Sequence, residues 1–252
     1  MNNILTSLLL IFAAALVAAV YGYFVNRRGE DDKSEILNIT QLSWLLALAP
    51  LAAFLLLASR VPAANEGIVS TWTWEWLPSL GLSLGFYVDD LALFFALIVT
   101  LIGVLVIIYG GYYFKGDQSA WRFQTYLLIF MGCMLGLVLA GDILTLFLFW
   151  EGTSILSYLL VAYKTESKEA RYGAFRALFI TGGGGIALLA GLLFASLIAG
   201  GTDYTTILSS GDLLRGNEFY TVILALVAFG AFTKSAQWPA HIWLPGAMSA
   251  PT

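Results

Sequence analysis

One carboxylate lies where an acidic side chain is hard to keep. Glu151 stands in Leu144-Thr145-Leu146-Phe147-Leu148-Phe149-Trp150-Glu151-Gly152-Thr153-Ser154, well inside an apolar run. At ~1.5 Å per residue this is on the order of 12 Å from the start of a helix, near the middle of a bilayer. A charged side chain there costs about 2.5–3.5 kcal/mol on insertion scales. Taking a proton or pairing with a cation lowers that cost, and either route makes the group a protonation switch. Lys234, at the end of a later apolar run, is the available cation. A Glu–Lys pair that separates and rejoins changes the proton affinity of both members. Two readings stay open on the residues alone: a switch for moving protons, or a static ion pair fastening two helices.

Three further groups carry weaker signals. His241 lies two residues past Pro239 and reads either as a proton relay or as a helix-end residue bonded to backbone. Arg176 sits early in the sixth run, where it lines a water path or snorkels to the cytoplasmic surface. Asp142 precedes the fifth run, where a carboxylate caps the helix and favours its dipole; capping is preferred over cation binding. Asp89 and Asp90 read as caps in the same way.

Lipid must solvate the elements that carry these groups. Hydrophobic residues make up 60% of the 252 residues and charged residues 11%, against about 25% charged in a soluble domain. Mean hydropathy is +0.84. A soluble fold of this length has no interior able to hold so much apolar side chain. The net charge of −4 is small and says little about partners; there is no basic tract for nucleic acid, and no nucleic-acid partner is expected. Single Cys (Cys133) and single His (His241) residues supply no ligand set for an iron–sulfur cluster or structural zinc and no disulfide. No cofactor is expected. The run Thr181-Gly182-Gly183-Gly184-Gly185 lacks a following Lys and reads as close helix packing, not a phosphate cradle.

Seven apolar runs span residues 4–24, 42–59, 90–114, 121–140, 143–163, 172–199 and 219–233. The first has the length of a retained helix and lacks the basic start of a signal peptide. The odd-numbered links and their edges hold Arg27, Arg28, Lys33, Lys115, Arg122, Lys164, Lys168, Arg171 and Arg176; the second and sixth hold Arg60 and Arg215. That bias puts the odd links in the cytoplasm and the N-terminus outside. In the second link, Ser70-Thr71-Trp72-Thr73-Trp74-Glu75-Trp76-Leu77 alternates with period two, and Leu80 to Tyr87 supplies a partner strand. This predicts a short extracytoplasmic β-hairpin with its tryptophans at the headgroups. Thr233-Lys234-Ser235-Ala236-Gln237-Trp238-Pro239 ends the seventh run with polar groups and a proline, and predicts a broken helix. Non-helical backbone at membrane depth must be buried in protein or face a water-filled cavity, and such breaks mark ion sites in transporters. The fold class is all-α integral membrane, with about seven transmembrane helices.

Two segments then resemble one family. Phe149-Trp150-Glu151-Gly152-Thr153-Ser154-Ile155-Leu156-Ser157-Tyr158-Leu159-Leu160 is similar to the fifth-helix motif of the antiporter-like subunits shared by Mrp cation/proton antiporters, membrane-bound hydrogenases and respiratory complex I. Thr233 to Met248 resembles the broken seventh helix of the same family, and Phe86-Tyr87-Val88-Asp89 extends the likeness to the hairpin. Glu-Gly-Thr-Ser, Ala170-Arg171-Tyr172-Gly173-Ala174 and the glycine run look more like the Mrp A subunit or its hydrogenase relatives than the complex I subunit.

The resemblance implies that Glu151 and Lys234 form the input pair of a proton path, that Arg176 stands where relatives often carry a basic residue, and that His241 stands where the Mrp A subunit often carries His. It implies membrane partner subunits of a hetero-oligomeric antiporter complex, with protons and Na⁺ as the ions, in the cell inner membrane. Residues 1–114 are expected to form an N-terminal three-helix segment with the hairpin, and 115–252 an incomplete first repeat of the core. The family continues into an eighth helix, so the chain is expected to be one part of a longer or split subunit. The alternatives are a proton-translocating subunit of a redox complex, a partner in inorganic-carbon uptake, or a structural membrane anchor.

Overall fold

The computed structural model of the chain describes residues 2–27, 37–77, 82–117, 119–248 and 250–251. Arg28 and Lys33 of the first link, and Pro78, Leu80 and Gly81 of the expected hairpin, lie outside the described residues. Among the described residues, six helices are long and apolar enough to cross a membrane, and one further apolar helix is shorter. The chain divides into two compact units, one of residues 1–70 and 88–139, the other of 71–87 and 140–252.

The first unit holds α1 (Asn2–Arg27), α2 (Ile39–Ala58), the short α3 (Val61–Asn65), α4 (Asp90–Tyr113) and α5 (Ala120–Val138). The starts of α2 and α4 follow capping chemistry. Asn38 accepts from Gln41 N while the Gln41 side chain accepts from Asn38 N, which closes a capping box on α2. Asp89 accepts from Ala92 N at 2.8 Å and caps α4. Asp90, expected as a second cap, is instead the first helical residue, where its charge favours the helix dipole. Leu91, Phe94, Phe95, Ile98, Leu101, Ile102 and Leu105 of α4 are exposed, as suits a helix solvated by lipid.

Where these helices touch, small residues and a buried polar contact do the joining. Gln124 of α5 is fully buried and donates to Ser43 Oγ of α2 at 2.9 Å and to the Ile107 carbonyl of α4 at 3.1 Å. Gly110 and Gly111 leave the space for these groups: a Cβ on Gly110 would lie 2.9 Å from Gln124 Nε2, and one on Gly111 would overlap Ser43. Small residues with an interhelical hydrogen bond are a usual solution where apolar surface gives helices no reason to associate.

In the second unit, β1 (Ser70–Leu77) and β2 (Leu82–Val88) form the expected two-stranded antiparallel hairpin. It is followed by α6 (Ile143–Val161), α7 (Lys168–Ala199), α8 (Tyr204–Ser209), α9 (Gly211–Arg215), α10 (Tyr220–Lys234), a 3₁₀ turn (Ala240–Trp243) and α11 (Leu244–Ala247). The central element is α7, which packs against α6, α10 and α11. It begins four residues before the apolar run, because Ser167 caps a charged first turn by accepting from Ala170 N at 3.2 Å. It ends at Gly200, whose φ of +79° places it in the left-handed region that closes helices. Ile143, Ala195, Ile207 and Ile223 form a buried cluster that seats α8 and α10 beside the ends of α6 and α7.

The break after α10 is built by the backbone before the proline is reached. Ala236 adopts a φ of +52° and Gln237 N donates to the Phe232 carbonyl at 2.9 Å, the closing bond of a Schellman cap. Trp243 then folds back and donates from Nε1 to the Thr233 carbonyl at 2.9 Å. A non-glycine residue in the left-handed region costs roughly 1 kcal/mol. Ala236→Gly is therefore expected to stabilise the protein by about 0.5–1 kcal/mol, read as a higher thermal midpoint in detergent. A lower midpoint would mean that the left-handed turn is not under strain.

Candidate functional site

The site is built on the α6–α7–α10 junction. Asp142 starts it. Its Oδ1 accepts from Leu144 N at 2.9 Å and Thr145 N at 2.8 Å, which caps α6. Its Oδ2 accepts from Thr145 Oγ1 at 2.8 Å and from Gly85 N of β2. Gly85 N also donates to Thr145 Oγ1 at 2.9 Å. The carboxylate is 3% exposed. Around it the backbone closes a seam: Gly141 N donates to the Gly85 carbonyl at 2.8 Å, Ile143 N to the Thr202 carbonyl at 3.1 Å, and Tyr204 N to the Gly141 carbonyl at 3.0 Å. A Cβ on Gly141 would lie 2.9 Å from the Phe86 carbonyl carbon, so glycine permits the approach. Burial, and the charge of Asp142, push the Tyr204 phenol well above its ordinary value. Asp203 caps α8, and the hydroxyls of Thr205 and Thr206 hold its carboxyl below the usual range.

Further along α6 stand Trp150, Glu151, Thr153 and Ser154. Lys234, the last residue of α10, donates from Nζ to Thr153 Oγ1 at 2.7 Å and to Ser154 Oγ at 2.9 Å, and lies 5.4 Å from the centre of the Trp150 ring. A cation at a helix C-terminus also gains from the dipole. Thr153 and Ser154 are essentially fully buried, and their hydroxyls donate to the Trp150 carbonyl at 2.7 and 3.2 Å. Glu151 Oε1 is buried and has no hydrogen-bond partner among the described residues. Lys234 thus contacts the residue before Glu151 and the two residues that stand two and three positions after it, so the fold brings both sequence-predicted groups into one neighbourhood.

The glycine run makes this possible. A Cβ on Gly185 would overlap Glu151 Oε1, and one on Gly182 would lie 3.8 Å from Oε2. A Cβ on Gly184 would overlap Thr233, the residue before Lys234, and one on Gly230 of α10 would lie 2.7 Å from the Gly184 carbonyl. Adjacent residues of α7 thus face the helix of Glu151 and the helix of Lys234. The run serves close packing, as its apolar setting indicates, and it also forms the notch that receives the carboxylate.

The other expected site residues fall outside this cluster of contacts. His241, in the 3₁₀ turn, and Arg176, on α7, are exposed, and neither has a side-chain hydrogen bond or ion pair with a described residue. Sequence reasoning passed over Thr153 and Ser154. The signal was two adjacent hydroxyl residues one turn after a membrane carboxylate.

Known proteins carry the same architecture. Residues 140–252 match the family model described as "NADH:quinone oxidoreductase/Mrp antiporter, TM", and residues 74–124 match "NADH-Ubiquinone oxidoreductase (complex I), chain 5 N-terminus". The chain is 43% identical over 211 residues to the A/B subunit of a probable K⁺/H⁺ antiporter of Rhizobium meliloti, covering 84% of this chain and 21% of that protein. It is 41% identical over 210 residues to the A subunit of the Na⁺/H⁺ antiporter of Alkalihalophilus pseudofirmus, covering 83% and 26%. The solved structure of the Mrp complex from Dietzia sp. DQ12-45-1b superposes with a TM-score of 0.83 at 28% identity, covering 98% of this chain and 25% of that one. The chain spans about a quarter of the length of the relatives it matches. Spans, hairpin and broken last helix define a multi-pass membrane subunit of the antiporter-like class. Over residues 140–252 the chain resembles the family that Mrp antiporters share with NADH:quinone oxidoreductase, and it is similar to the N-terminal part of the A subunits of Mrp-type antiporters.

Proposed function

We infer that the chain carries the entry half of a proton path in a multi-subunit monovalent cation/proton antiporter, with Glu151 and Lys234 as its switch. The observation that carries this reading is the junction itself. A glutamate with an unbonded buried oxygen and a lysine on buried hydroxyls share one neighbourhood inside apolar helices. Each charge adds to the cost of insertion. The basic links put the N-terminus outside, so that the hairpin lies on the side from which protons enter. The exchange runs external protons against a cytoplasmic cation, driven by the membrane potential. Relatives are named for Na⁺ and for K⁺, and Na⁺ is the cation proposed here. His241 and Arg176 are proposed as exposed relay groups that meet the path in the assembled complex, whose other membrane subunits are the partners.

The test is Lys234→Ala in the complete complex, with cation-induced pH change measured in inverted vesicles. A loss of at least about tenfold at unchanged complex content is expected. Full activity would leave the lysine as a mere fastener and remove the switch. A second reading, a proton-translocating subunit of a redox complex, is favoured by the match of residues 74–124 to a complex I model. Substrate oxidation that acidifies vesicles with no added cation would select it.

A further inference from the structure

Two buried hydroxyls stand near Glu151 and Lys234, each with its donor and one acceptor engaged. A hydroxyl carries one donor and two acceptor sites. Thr153 and Ser154 each spend the donor on the Trp150 carbonyl and offer an acceptor to Lys234 Nζ at 2.7 and 2.9 Å. They are 0% and 1% exposed with the ammonium seated on them. Buried polar atoms of this kind are retained at a cost unless they have a partner. On the same helix, Glu151 Oε1 occupies the notch at Gly185 without a hydrogen bond among the described residues.

We propose that Thr153 and Ser154 are positioning residues that form a neutral seat for the Lys234 ammonium, in competition with Glu151. This deepens, and rests on, the proton-switch reading above. The seat holds the lysine by two hydrogen bonds whose strength does not depend on the protonation of Glu151. The pull of the carboxylate does depend on it: ionised, Glu151 draws the ammonium; protonated, it releases it to the hydroxyls. The lysine therefore has two positions, and the proton on Glu151 selects between them. A charged seat would pin the lysine, and an apolar one would leave it no second position.

The experiment uses the assembled complex in inverted vesicles. Thr153→Val combined with Ser154→Ala removes both acceptors at nearly constant volume. Thr153→Ser and Ser154→Thr keep a hydroxyl at each position. The hydroxyl-free variant is expected to lose about tenfold in cation-induced proton movement and to shift its pH dependence by about one unit. The two conservative variants are expected to stay within about twofold of the parent, with an unshifted pH profile. Should the double variant fail to assemble, Ser154→Ala, which deletes one oxygen, carries the test with the same shift in smaller measure. Unchanged rate and pH profile in a hydroxyl-free complex would overturn the seat; if Lys234→Ala still abolishes transport, the switch reading stands without it. Equal losses in the conservative variants would overturn the seat as well, because packing alone then explains the effect.

Discussion

Glu151→Gln in the assembled complex is expected to reduce cation-driven proton movement by roughly 100-fold or more, the scale of a lost proton-transfer group. The amount of complex in the membrane should stay the same or rise. Glutamine keeps the shape that fills the notch beside Gly185 and Gly182, so the α6–α7 contact survives. It also removes a charge whose presence at membrane depth costs about 2.5–3.5 kcal/mol. What it cannot do is take up and release a proton, or draw Lys234 off the hydroxyls of Thr153 and Ser154. Function and assembly are thus expected to move in opposite directions, which separates a proton switch from a structural ion pair. A fastener predicts weaker assembly and transport that falls only in proportion. Glu151→Gln with full activity per assembled complex would end the proton-switch reading. Glu151→Asp is expected to fall between, since the carboxyl remains but is withdrawn from the notch by one methylene.

The elements that carry this pair were legible in the sequence, and the contacts between them were not. Run length and absence of charge located the spans within a few residues, because a helix in lipid satisfies its own backbone and needs only an apolar surface. Ser70 to Leu77 showed its strand through alternating side chains. Asp142 announced a helix start because a cap acts within three residues of sequence. Distance erased other signals. Gly85 and Asp142 meet only once the hairpin is folded back. Thr153 and Ser154 looked like ordinary small polar residues, since their partner Lys234 arrives from a distant helix. Two short helices, α8 and α9, lay hidden in a link that reads as polar loop, because short helices rest on caps and local packing rather than on apolar periodicity. The glycine run was read for its packing; only the structure shows that successive glycines face different helices.

Asp142→Ala is expected to have the largest effect on stability, about 2–4 kcal/mol, with the hairpin as the first element to loosen. The carboxylate is buried and serves both α6 and β2. Removing it takes away a helix cap, worth roughly 1 kcal/mol. It also leaves the buried N–H of Thr145 without its acceptor, at about 1–3 kcal/mol, while the N–H of Leu144 is only partly buried. Gly85 N keeps one acceptor, Thr145 Oγ1, so the hairpin is weakened rather than released. The ring contacts from Trp72 to Phe86, and from Phe86 to Phe149 of α6, continue to hold it. Asp142→Asn should be milder, about 1 kcal/mol. Its oxygen still accepts from the helix N–H groups and its amide can donate to Thr145 Oγ1, but that amide meets the Gly85 N–H donor to donor, so the hairpin contact bears the loss. The alanine variant falling below the asparagine variant, in thermal unfolding and in protease cleavage at the hairpin tip, is what a cap and tether predict. If instead Asp142→Asn and Asp142→Ala are equally impaired in transport while both stay stable, the negative charge itself is what matters, and Asp142 acts on the ions rather than on the fold.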